Sequence, residues 1–226
     1  MLIEKDVLVI APHPDDETLG AGGTLLRLQA EGARLHWLLM TSAVGAGYTD
    51  DYLSRQERQI EEVRKAFSFE SFHWLRHPAS GLYRADRGTI IDAIRKILNE
   101  IKPRTLFVPH AGDAHDDHSM TQHCALAACK SFYMHKQGIS RILAMEIMSE
   151  TDASPPTHDN AFLPTIAVDI GKYLNMKLKI LSLYKTELQD NGPRSLKAVE
   201  FQARLHGASF GVTAVERFML IRELIV

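Results

Sequence analysis

The sequence is poor in cysteine, with two in 226 residues. Cys124 and Cys129 lie five apart in a stretch of helical patterning, so their side chains point in different directions. That spacing suits neither a disulfide nor a Cys-x-x-Cys metal clip, and it predicts two buried thiols. No apolar run approaches the ~20 residues that a membrane-crossing helix needs. The opening segment MLIEKDVLVIAP has neither the basic start nor the long apolar stretch of a secretory leader. The expectation is a cytoplasmic protein without a membrane span. Charge of one sign is not in excess either: 26 Lys and Arg against 28 Asp and Glu give a net charge of −2. Without a basic field, nucleic acid is a poor candidate partner. Apolar residues at 45% and charged residues at 24% exclude a disordered tail, a collagen-like fibre and a coiled coil. A chain of this length buries roughly 70% of its unfolded surface. With no internal repeat, low-complexity tract or linker, residues 1–226 read as one domain.

Short apolar runs alternate with amphipathic stretches. Asp6–Pro12 reads as a strand buried on both faces, followed by a helix over Thr18–Ala30. Further strands are expected at Leu35–Thr41, Ser71–Leu75, Thr105–Pro109 and Arg141–Met148. The helices between them are expected at Arg55–Phe67, Gly88–Ile101 and Ser119–His135. Strands joined by helix-length crossovers imply a doubly wound, mostly parallel sheet with helices on both faces. Residues 1–150 form this repeating core. After Glu150 the order loosens. Thr151–Pro164 reads as a long loop, Thr165–Asp169 and Phe218–Leu224 as strands, and Lys172–Leu188 and Leu196–Leu205 as helices. Residues 151–226 are expected to complete the substrate site.

Histidine is the compositional outlier, at 11 residues, and its placement carries the chemistry. The first strand ends in His13-Pro14-Asp15-Asp16-Glu17, and the fourth runs into Asp113-Ala114-His115-Asp116-Asp117-His118. In a doubly wound sheet the loops at the carboxyl ends of strands form the ligand crevice, so the fold can bring the two clusters together. One acid explains a helix cap; three acids after a His-Pro do not follow from capping. Imidazole and carboxylate together suit Zn²⁺ or Fe²⁺. His13, Asp16 and His118 would supply three ligands, leaving Asp15 and His115 beside the ion as general base and electrophilic helper. Gly20-Ala21-Gly22-Gly23 lacks the third glycine of a dinucleotide-binding turn, and HPDDE already fills the strand-to-helix turn. His110 is expected to make a structural hydrogen bond, and His123 and His135 to lie at the surface or in packing.

APHPDDETLGAGGTL resembles the signature of the PIG-L/LmbE-like N-deacetylases, and HDDH at His115–His118 is similar to that family's second motif. The segments VDIGKYLNMKLKIL and VERFMLIREL continue the likeness across most of the chain. Asp116 stands where the family often has proline, and Val215 where alanine is usual. The resemblance implies a Rossmann-like α/β fold and hydrolysis of an N-acetyl group on an amino-sugar-containing small molecule or glycoconjugate. It carries over His13, Asp16 and His118 as Zn²⁺ ligands, with Fe²⁺ the alternative ion. Asp15 becomes the general base. His115 becomes the oxyanion-stabilising group, expected protonated with the Asp117 carboxylate touching its ring. Arg58, in preference to Arg55, is expected to contact substrate hydroxyls, and Arg194 to reach an anionic part of the substrate. Two other readings stand beside this one: an amidase acting on a different N-acyl substrate such as a thiol conjugate, and a metal-binding module without catalysis. A non-haem Fe(II) oxygenase fits the donor set but belongs on an all-β scaffold. The sequence does not identify the sugar, and it is compatible with a homo-oligomer without specifying one.

Overall fold

The computed structural model describes residues 5–45 and 47–225. Residues 1–4, 46 and 226, at the two ends of the assigned domain and inside the Ala43–Ser54 loop, lie outside the described residues. The elements run β1 (Asp6–Ala11), α1 (Asp16–Ala30), β2 (Arg34–Ser42), α2 (Asp50–Ala66), β3 (Ser71–Pro78), α3 (Arg87–Ile101) and β4 (Thr105–Val108). They continue with α4 (Asp116–Ala128), α5 (Ser131–Met134), β5 (Arg141–Met145), β6 (Ile166–Asp169), α6 (Leu174–Leu181), α7 (Leu196–Ser209) and β7 (Val215–Glu223).

The seven strands form one sheet in the order β3-β2-β1-β4-β5-β7-β6. The first five pair in parallel, whereas β7 pairs antiparallel with both β5 and β6. The mostly parallel, doubly wound sheet is therefore as expected, with an antiparallel edge that the sequence pattern did not specify. Alternation along β1 explains the two-sided burial. Val7, Val9 and Ala11 enter the core shared with α1, α2, α6 and α7, while Leu8 and Ile10 enter the core under α3 and α4. Because β1 pairs with both β2 and β4, the winding direction reverses between β1 and β4. The crevice at such a reversal, at the carboxyl ends of the strands, is where ligands bind in this class of sheet.

Two helices are shorter than their patterning. The expected helix Ser119–His135 is two helices, because Gln137 Nε2 donates to the carbonyl of Ala128 and satisfies the end of α4. The expected Lys172–Leu188 helix stops at Leu181. Beyond it, Tyr184, Thr186 and Glu187 bond to α1 and α2 instead. The glycines of α1 permit close approach: a Cβ at Gly23 would lie 2.7 Å from Ile170 Cδ1, and one at Gly20 would lie 2.8 Å from Met145 Cβ. Both cysteines are buried and free. At the opposite end of the sheet, His36 bonds to Asp6 at 3.0 Å and to Ser71 at 2.8 Å, tying β1, β2 and β3 together.

Candidate active site

Residues that follow β1 and β4 meet at the reversal. Asp16 and His118 are fully buried, Asp15 is 2% exposed, and His13 faces the crevice. Asp16 Oδ2 stands 3.3 Å from His13 Nδ1 and 3.3 Å from His118 Nε2. Tetrahedral coordination with bonds of about 2.0–2.2 Å places donor atoms roughly 3.3–3.6 Å apart. His118 Nε2 and Asp16 Oδ1 are buried and, among the described residues, have no hydrogen-bond partner. Unpaired buried polar atoms are costly, so these donors fit an ion better than they fit one another. Burial alone would raise the Asp16 pKa, but the neighbouring His118 and His13 hold its carboxyl well below the usual range.

Each histidine of this trio is oriented by a carboxylate. Asp113 Oδ2 meets His118 Nδ1 at 2.8 Å, and Asp117 Oδ2 meets His13 Nε2 at 3.1 Å. Carboxylates behind metal-binding histidines fix the ring and raise its basicity. His13, His115 and Asp117 form a second group with closely spaced donor atoms. Its Asp117 carboxylate, however, already accepts from the backbone N–H groups of Ser80 at 2.7 Å and Leu82 at 3.0 Å. Asp117 thus has little left to offer an ion, and the His13, Asp16, His118 group is the better ligand set.

The expectation that Asp117 grips the His115 ring is corrected by this geometry. The Asp117 carboxylate turns to His13, and only its backbone N–H reaches His115, donating to Nδ1 at 3.1 Å. An Nδ1 that accepts leaves the proton of a neutral ring on Nε2, which faces Ser80 Oγ at 3.3 Å. Burial lowers the His115 pKa, the His13 and His118 charges add to this, and Asp117 only partly opposes it. His115 is therefore a neutral Nε2–H donor rather than an imidazolium.

Asp15 occupies the N-cap position of α1, but its side chain makes no capping hydrogen bond. Its φ of 114° lies in a region that L residues avoid. Backbone strain of this kind is retained where the surroundings over-determine it. Here the Glu17 carboxylate accepts from the Asp15 backbone N–H at 3.3 Å and from Tyr184 Oη at 2.8 Å. Burial pushes the Glu17 carboxyl up to about 7. Asp15 Oδ2 receives Arg194 Nη1 at 3.2 Å, and Oδ1 has no partner among the described residues. Burial pushes the Asp15 pKa well above the usual range, with Arg194 opposing the rise.

A cavity of about 520 Å³ opens onto this cluster, lined by His13, His115 and Arg194 and by Tyr48, Tyr52, Gln56 and Glu187. Arg194 is inside the site, where three of its five N–H groups donate to Asp15 at 3.2 Å, Glu150 at 2.9 Å and Ser149 at 2.7 Å. Among the described residues it has two N–H groups left over where it lines the cavity, and its charge is already set against the Asp15 and Glu150 carboxylates. Arg58 is exposed and does not line the cavity; α2 presents Tyr52 and Gln56 instead. Arg55 pairs with Asp51 in solvent. His110 makes the expected structural bond, its Nε2 meeting the carbonyl of Asn160 at 2.9 Å and pinning the 151–164 loop. His123 and His135 are exposed. Sequence reasoning gave no role to Asp113, although it precedes His118 in the same Asp/His run. It also missed Glu187, which sits in a loop without a motif.

The profile of the PIG-L family, GlcNAc-PI de-N-acetylase, matches residues 8–129. An uncharacterized deacetylase of Escherichia coli, YaiS, is 26% identical over 80% of this chain and 91% of its own. The diacetylchitobiose deacetylase of Thermococcus kodakarensis is 24% identical over 83% of this chain and 72% of its own. The crystal structure of the conserved protein TT1542 from Thermus thermophilus superposes with a TM-score of 0.77 at 26% identity, covering 98% of this chain and 97% of that one.

Proposed function

From the premise that this chain belongs to the PIG-L family of de-N-acetylases, we propose that it is a zinc-dependent hydrolase that removes the N-acetyl group of an amino-sugar-containing small molecule. The observation that carries the reading is Asp15: a buried carboxylate with one unpaired oxygen, excused from helix capping and set beside a His/Asp/His trio. His13, Asp16 and His118 would hold the ion. When bound, it would polarise the acyl oxygen and lower the pKa of a water.

The chain's own residues supply the rest. Asp15 accepts the proton of the attacking water, a role suited to a carboxyl whose pKa burial has raised. It then returns that proton to the departing nitrogen, since an amine leaves far better than an amide anion. Arg194 keeps Asp15 ionised enough to act and fixes which oxygen stays free. His115 offers its Nε2–H to the oxyanion as charge develops, and the backbone bond to Nδ1 holds the ring ready. Glu187, Gln189 and Arg194 bring the 151–226 segment into the cavity, which supports one domain with its substrate wall in the C-terminal part.

No helix among the described residues is long and apolar enough to cross a membrane. The test is acetate release from a panel of N-acetyl sugars by wild type and Asp15→Asn. The variant should keep its metal and lose about 10²–10⁴ in kcat. If Asp15→Asn loses the metal while Asp16→Asn retains it, the two acids hold each other's roles.

A further inference from the structure

β5 ends at Met145, beside β4, and the chain then turns sharply over residues 147–152. Ile147 is fully buried, and its carbonyl accepts from the backbone N–H groups of Glu150 at 3.1 Å and Thr151 at 2.8 Å. Ser149 has a φ of 77°, in the left-handed region, and its N–H donates to the Asp152 carboxylate. Such strain persists only where the surroundings over-determine the backbone. The carbonyl of Glu150 accepts from the N–H of Ala114, which fastens the turn to the Asp113–His118 segment.

Both halves of the site are bonded to this turn. Thr151 Oγ1 accepts from the Ile147 N–H at 2.9 Å and donates to Asp113 Oδ1 at 2.7 Å. A hydroxyl has a single proton, so this chain of bonds has one direction, and it ends on the carboxylate behind His118. On the other side Ser149 Oγ and Glu150 Oε1 accept from Arg194 Nε and Nη2, while Arg194 Nη1 reaches Asp15. These bonds stop two rotations, that of the Asp15 carboxyl and that of the His118 ring. The two side chains come from the ends of different strands, and a misplacement of about 1 Å can cost roughly 10²-fold in rate. Bonding both to one turn fixes them relative to each other, which two separate supports would do less tightly.

We propose that Ser149-Glu150-Thr151 is a brace that sets the general base and the ligand histidine in one mutual geometry. Glu150 and Thr151 are its positioning residues, and Asp152 is the pin that keeps the turn closed. The arm to Asp15 rests on the de-N-acetylase reading, whereas the arm to His118 rests on metal binding alone.

Asp152 carries the test, because it is exposed and, among the described residues, its carboxylate bonds only to the Ser149 N–H. Zn²⁺ affinity is measured by chelator competition, and kcat and KM by acetate release from an N-acetyl sugar, for wild type, Asp152→Ala and Asp152→Asn. Asp152→Ala should weaken zinc and lower kcat together, each roughly 3–10-fold for one lost hydrogen bond, with KM within about twofold. Asp152→Asn keeps the acceptor and should restore both. Thr151→Val should weaken zinc by a similar factor and Thr151→Ser should restore it. Glu150→Gln should leave zinc affinity alone and lower kcat roughly 10-fold. Should Asp152→Ala fail to fold by circular dichroism, the Thr151 pair decides the arm to His118 and Glu150→Gln the arm to Asp15. A folded Asp152→Ala that keeps both properties, or loses one without the other, overturns the brace, as does a loss that Asp152→Asn does not reverse. Wild type that binds zinc but releases acetate from no sugar removes the deacetylase reading, and the zinc affinities of the Asp152 pair then decide the brace.

Discussion

Asp113 offers the sharpest way to test whether the buried His/Asp network serves an ion or only the fold. Its Oδ2 lies 2.8 Å from His118 Nδ1, and its Oδ1 accepts from Thr151 Oγ1 at 2.7 Å. Asp113→Ala would strand both partners. At about 1–3 kcal/mol for each unsatisfied buried group, the loss is roughly 2–6 kcal/mol, a large part of the 5–15 kcal/mol that holds an ordinary domain together. A fall in melting temperature there would say nothing about metal. Asp113→Asn is the discriminating change, because its side-chain oxygen still accepts from His118 while the charge is gone. Loss of a carboxylate behind a ligand histidine typically costs 10–100-fold in metal affinity, or about 1.4–2.7 kcal/mol. Zn²⁺ affinity should be measured by competition against a chromophoric chelator at fixed pH, with Asp16→Asn as the reference that retains no tight binding. Wild-type affinity in Asp113→Asn, at an unchanged melting temperature, would refute the assignment of His118 as a ligand tuned from behind.

Asp117→Asn should weaken zinc by a similar 10–100-fold and so fall well short of Asp16→Asn; the reverse order would make the His13, His115, Asp117 group the ligand set. Arg194→Met removes the charge that opposes the raised pKa of Asp15. The base must be ionised to act, so the acid limb of kcat/KM should move to higher pH, and an unmoved limb would reduce Arg194 to a tie for Ser149 and Glu150. Gly23→Ala should destabilise by roughly 1–3 kcal/mol in urea melts despite alanine's better helix propensity, because its Cβ would lie 2.7 Å from Ile170 Cδ1.

Much of the site was legible because its residues follow directly from two strands, and strand ends converge at a predictable edge. The errors concern direction. Asp117 neighbours His115 in sequence, which suggested a shared hydrogen bond. In the first turn of α4, however, successive side chains fan out by about 100° each, and Asp117 points across the crevice to His13. Arg58 fails for the same reason. It lies roughly 200° around α2 from Gln56, and the buried Ile60 and Val63 already marked its face as the outer one. Glu187 was out of reach, since the helical pattern of residues 172–188 gave no sign of the break after Leu181 that turns it inward. The antiparallel edge was equally hidden, because short strands with ordinary alternation do not reveal their partners.

Glu216, on the last strand, accepts the backbone N–H groups of Gly23 and Thr24 at 2.9 and 2.7 Å, and Lys177 bridges it to the carbonyl of Leu19. The helix that begins at Asp16 is thus held at Gly23 by a residue 193 positions further along the chain. At a synthesis rate of about 5–20 residues per second, α1 leaves the ribosome roughly 10–40 s before that partner exists. For that interval the newborn chain carries Asp15 and Asp16 at the start of a helix that can rest on β1 and β2 but lacks its contacts with α6 and β7. The segment that carries His13, Asp15 and Asp16 is among the first made, and its packing against α6 and β7 forms only near the end of synthesis.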